Sequence, residues 1–124
     1  MKRLLFLVAI VVLVACQGPS TSATKVDLYE FEIEPSISNL VAGTVTLDVT
    51  NEGDYGHTLV ITDSEGHVLS AGDVIDSGEA SELSIDLAAG DYFFTCRIVA
   101  QDDDGNVIDH YEQGMSAEVT VAAS

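Results

Sequence analysis

Four residues of the chain are candidate ligands for a soft metal: His57, Cys96, His110 and Met115. Singly, each has a plain structural reading. His57 serves as a core histidine with both ring nitrogens hydrogen-bonded, Cys96 as a buried thiol, His110 as a loop residue and Met115 as a core plug. As a set they have a definite chemistry. Two imidazoles, one thiolate and one weak thioether form the donor set of a trigonal blue-copper centre, in which a long axial sulfur contact and the surroundings of the thiolate tune the reduction potential. Soft sulfur favours Cu(I) and imidazole accepts Cu(II), so a fixed compromise geometry passes an electron with little rearrangement.

Donors so far apart in the chain need a framework, and the hydropathy pattern supplies one. Apolar residues alternate with polar ones in Thr44 to Thr50, with Val45, Leu47 and Val49 on one face. The same period of two runs through His57, Leu59 and Ile61, through Leu83, Ile85 and Leu87, through Tyr92, Phe94, Cys96 and Ile98, and through Val119 and Val121. Turn signals separate these runs: Asn51-Glu52-Gly53, Ser64-Glu65-Gly66, Ser77-Gly78, Ala89-Gly90-Asp91 and Asp104-Gly105-Asn106. No stretch keeps a helical period for three turns. The pattern predicts an all-β fold, an antiparallel sandwich or barrel of about seven to eight strands. It also puts His57 and Cys96 on the apolar side, each at a strand end.

The ends and the charge bound what such a domain meets. Lys2 and Arg3 precede an apolar run from Leu4 to Ala15, too short for the about 20 residues of a membrane span but suited to an export signal. The ending Leu13-Val14-Ala15-Cys16 resembles the lipobox of lipoproteins, which implies a signal peptide over 1–15, cleavage after Ala15 and acylation of Cys16. The alternatives are an ordinary signal peptide and an uncleaved anchor. Residues 16–24 then form a lipid-anchored flexible tether, rich in small polar residues, and 25–124 form one domain. That domain is extracytoplasmic, held to a cell membrane by its lipid. With Cys16 lipidated, Cys96 has no partner for an intramolecular disulfide. Against 21 acidic residues the domain has two basic ones, Lys25 and Arg97, a formal charge of −19. Nucleic acid and anionic lipid surfaces are excluded as electrostatic partners. The excess reads either as adaptation to a saline habitat or as attraction for a basic protein partner.

Three motifs resemble those of the cupredoxins, and among them the small plastocyanin-like and halocyanin-like blue copper proteins. Asn51 to His57, "NEGDYGH", matches the approach to the first histidine; Leu87 to Cys96, "LAAGDYFFTC", matches the cysteine strand; and His110 to Met115, "HYEQGM", matches the histidine-to-methionine spacing. The resemblance spans nearly the whole domain. It implies a Greek-key cupredoxin fold binding one copper ion, with His57, Cys96 and His110 as equatorial ligands and Met115 as the axial one. There are two departures. Thirteen residues, Arg97 to Asp109, separate Cys96 from His110 where the family keeps only a few. They read as an inserted hairpin, with Ile98 and Val99 on one arm, Val107 and Ile108 on the other and "DDDGN" as a solvated tip. Thr95 stands where plastocyanins often carry an aromatic electron port, which leaves the His110 edge, with Tyr111 beside it, as the route in and out. His67, after Gly66, belongs to a surface turn and is not expected to ligate.

The expected function is single-electron transfer, not enzymatic catalysis, between extracytoplasmic redox proteins such as a cytochrome or membrane oxidoreductase, by a monomer. Copper delivery by the same ligands is the competing function. A chain with two methionines, one of them Met1, lacks the Met-rich exposed sites that delivery favours.

Overall fold

A computed structural model describes residues 21–124. The expected signal peptide and the expected lipidation site, Cys16, lie outside the described residues. Among those described, eleven strands and no helix occur: β1 (Thr21–Tyr29), β2 (Glu32–Pro35), β3 (Asn39–Val41), β4 (Gly43–Asn51), β5 (Val60–Asp63), β6 (Val68–Ala71), β7 (Ala80–Leu87), β8 (Gly90–Thr95), β9 (Val99–Gln101), β10 (Val107–Asp109) and β11 (Ser116–Ala122).

The strands form a sheet of order β2-β1-β4-β7, a sheet of order β3-β11-β8-β5-β6 and the separate ribbon β10-β9. The chain passes from one sheet to the other between β2 and β3, β3 and β4, β4 and β5, β6 and β7, and β7 and β8, so strands adjacent in sequence often lie in opposite layers. Alternation decides which side faces in: Val45, Leu47 and Val49 of β4 are buried, as are Val26 and Leu28 of β1. They join Ile61, Phe94, Val119 and Val121 of the second sheet in one apolar cluster, which makes the molecule a β-sandwich.

Three expectations change. The strand count exceeds seven to eight because β2 and β3, of four and three residues, are too short to show a period of two, and because the inserted hairpin adds β9 and β10. The sheets are mixed and not purely antiparallel, since β1 runs parallel to β4 and β3 parallel to β11. The tether stops short of 24, because Thr21 to Thr24 pair with Thr44 to Leu47. Their polar side chains help to hold them there: Thr24 Oγ1 accepts the Ile37 N–H at 2.9 Å, and the Ser22 hydroxyl donates to the Val41 carbonyl at 3.1 Å. Small polar residues look like linker by composition, yet here their hydroxyls replace ladder bonds along a strand.

β8 is the strand that matters most for chemistry. It lies between β11 and β5, and its last residue, Thr95, pairs with Ser116 on one side and Val60 on the other. Cys96 follows, so the thiol leaves a strand that is fixed on both edges.

Candidate metal centre

His57, Cys96 and His110 come together in the interior, at 0, 0 and 2% exposure. Each is placed by local backbone bonds. His57 forms a bridge with Ile75, its N–H donating to the Ile75 carbonyl at 3.1 Å and its carbonyl accepting the Ile75 N–H at 2.8 Å. The loop before it is braced by buried Asn51, whose amide donates to the Tyr55 and Ile75 carbonyls at 2.7 and 2.8 Å while its oxygen accepts the Gly53 N–H.

The Cys96 N–H donates to the Met115 carbonyl at 3.2 Å, and the Cys96 sulfur accepts the Thr58 N–H at 3.4 Å. His110 donates its N–H to Ile98 and accepts the Met115 N–H at 3.1 Å. Between His110 and Met115 the chain makes one tight turn: Asp109 accepts the Gln113 N–H through its carbonyl and the Glu112 N–H through its side chain. Gly114 closes the turn at φ 102°, a conformation costly for any other residue. Met115 is fully buried, and its two backbone bonds tie the Cys96 and His110 segments together.

The donor atoms form a triangle. His57 Nδ1 and His110 Nδ1 are 3.2 Å apart, and the Cys96 sulfur lies 3.9 Å from the first and 3.6 Å from the second. The point equidistant from the corners of such a triangle is about 2.1 Å from each, inside the ~2.0–2.3 Å range of imidazole and thiolate bonds to a zinc-sized ion. Two nitrogens and a thiolate in that arrangement, with a buried methionine supplied by the same loop, fit one copper ion.

Two neighbours of the triangle were not legible beforehand. Glu30, in the two-residue turn between β1 and β2, places a carboxylate oxygen 3.1 Å from His57 Nε2. Phe31, in the same turn, sets its ring edge-on to the His110 ring with centroids 5.1 Å apart. Neither belongs to a ligand motif, and only the folded hairpin brings residues 30 and 31 beside 57 and 110. Burial raises the Glu30 carboxyl, but N–H donors from Tyr55, His57 and Asp54 outweigh it and hold the group below its ordinary value. Burial, reinforced by electrostatic repulsion from the His57 ring, pushes the His110 imidazole down.

The Arg97–Asp109 segment is a hairpin as expected, β9 pairing with β10 through Ala100 and Ile108 around the Asp102–Asn106 tip. Asp102 binds that tip together by accepting N–H groups of Asp104 and Asn106. A groove of about 220 Å³ separates the hairpin from the His57 loop, bounded by Tyr55, Gly56, Ile98, Ala100 and Ile108, and His110 lines it too. His110 therefore reaches the surface through this groove and not as an open edge. Tyr111 is exposed, with the Arg97 guanidinium 3.8 Å from its ring centre. His67 sits apart on the surface, its ring 3.0 Å from Asp63.

No curated protein sequence matches the chain. Solved structures with a similar fold include a reduced auracyanin from the photosynthetic bacterium Roseiflexus castenholzii, 19% identical, with a TM-score of 0.62 over 85% of this chain and 99% of that one. Rusticyanin from Thiobacillus ferrooxidans is 15% identical, with a TM-score of 0.64 over 86% of this chain and 79% of that one. Auracyanin A, described as a "blue" copper protein from Chloroflexus aurantiacus, is 14% identical, with a TM-score of 0.63 over 83% of this chain and all of that one, 100%. A family model described as a cupredoxin-like domain matches residues 3–108, which takes in His57 and Cys96 and stops just before His110. With most of its length matched by that model, the chain belongs to the cupredoxin-like family.

Proposed function

We propose that the protein is a mononuclear copper electron carrier, working outside the cytoplasm from a lipid anchor at Cys16. The observation that carries the proposal is the donor triangle: two imidazole nitrogens and a cysteine sulfur around a point suited to one ion. A copper ion held there supplies a one-electron couple. The protein's part is to keep the donors from moving. His57 is fixed by Glu30 and the Ile75 bridge and Cys96 by the Thr58 and Met115 backbones, and buried Met115 would supply the fourth, weaker donor. Burial excludes water, so neither oxidation state acquires extra ligands. The same burial speaks against copper delivery, which needs ligands that a recipient can reach.

Electrons enter and leave through His110 and the groove it lines. The acidic surface favours a basic redox protein as partner. One equivalent of Cu(II) added to the purified domain is expected to give an intense charge-transfer band near about 600 nm, or near about 450 nm for a more tetragonal site, and Cys96→Ala is expected to remove it. A wild-type protein that gives no such band refutes the proposal. Reversible one-electron voltammetry with copper retained in both states separates a carrier from a delivery protein.

A further inference from the structure

We infer that Glu30 is a positioning residue for this centre: it fixes the ring of His57 in one tautomer, and its negative charge holds bound copper toward the oxidised state. The inference rests on the copper reading above and adds a residue outside every ligand motif.

One oxygen of Glu30 accepts the N–H groups of Asp54 at 2.7 Å and Tyr55 at 2.8 Å and lies 3.1 Å from Nε2 of the His57 ring. An ionised carboxylate can only accept, so the ring nitrogen within hydrogen-bond distance of it is the donor and Nε2 of His57 carries the proton. Nδ1 then keeps its lone pair, and Nδ1 is the atom that faces His110 and Cys96. The carboxylate therefore selects the tautomer that can ligate. Ring position is fixed as well, because His57 is fully buried and its outer nitrogen has one anchored partner.

The carboxylate is itself seated in a cradle made for it. A Cβ on Gly53 would overlap the Glu30 carboxylate, so glycine at 53 is what lets the acid lie against the loop. Asn51 fixes that glycine through its N–H, and the Ser77 hydroxyl donates to the Gly53 carbonyl at 2.6 Å. The Glu30 side chain is 28% exposed, which weakens its field but does not remove it. An anion bonded to the far side of an imidazole raises the basicity of the ligating nitrogen. With the thiolate it brings two negative charges to the centre, which balance Cu(II) and leave Cu(I) with an excess. Both effects favour the oxidised ion.

Glu30→Gln isolates the charge, since the amide oxygen can accept the same three N–H groups. In the copper-loaded protein we expect the charge-transfer band to persist and the equilibrium to move toward Cu(I) by about tenfold, an upward shift of about 59 mV for one electron. Glu52→Gln, which removes an exposed carboxylate from the same loop, is the control for general charge. No shift in Glu30→Gln, or an equal shift in Glu52→Gln, overturns the electrostatic role. The tautomer is read in the metal-free protein from the 15N shifts of His57. The Nε2–H form is expected in wild type and Glu30→Gln and a mixture in Glu30→Ala, whereas an unchanged Glu30→Ala spectrum overturns the positioning role. Should wild type give no copper band, the copper reading fails, and the tautomer alone decides for or against Glu30.

Discussion

At the scale of single residues, the protonation of His110 connects chemistry to stability. The His110 imidazole is pushed below its ordinary value of 6.5 first by burial and then by electrostatic repulsion from the His57 ring. An unfolded chain takes up a proton there as pH falls through about 6.5, while the folded chain resists it, so the unfolded state binds more protons and folding weakens. The metal-free domain is therefore expected to lose thermal stability as pH is lowered from about 7.5 to 5.5. Calorimetry across that range checks it, and His110→Phe should flatten the dependence. Legibility at this scale divides along chemical type. His57, Cys96 and His110 were readable because each is rare in the chain and metal-binding by nature. Glu30 was not, because it is one carboxylate among 21 acidic residues and only its seat against Gly53 and His57 distinguishes it.

At the scale of elements, the inserted hairpin is the departure with the clearest consequences. Its position, arms and tip followed from "RIVAQDDDGNVID", because two β-branched arms around Asp-Gly-Asn dictate a ribbon. That it encloses a groove with the His57 loop was not legible, since Tyr55 and Ile98 meet only through tertiary structure. Gly105 at the tip has φ 83° with open space around the missing side chain. Gly105→Ala is expected to cost about 1 kcal/mol through backbone strain, a few degrees in Tm, and to leave the copper spectrum unchanged. A change in the spectrum would mean that the tip is coupled to the donors. The short strands β2 and β3 and the parallel pairing of β1 escaped the sequence for a related reason: three or four residues carry no period, and strand direction is set by partners far along the chain.

For the whole molecule, the formal charge of −17 sets the response to salt. Repulsion among scattered carboxylates opposes the compact state and is screened as ionic strength rises. The thermal midpoint of the domain is expected to rise between about 0.05 and 1 M NaCl, as a denaturation series would record, while electron transfer to a basic partner slows over the same range. A flat midpoint would show that the carboxylates are spaced widely enough not to repel. The last feature concerns how the centre is put together. Glu30 and Phe31 come from the first hairpin, His57 from a loop between sheets, and Cys96, His110 and Met115 from the C-terminal third, so no separable segment of the chain contains the site. Indivisibility is the consequence: a cut of the chain anywhere between Tyr29 and Met115 parts residues that the site needs together, so no fragment of the domain is expected to hold the ion as the whole does.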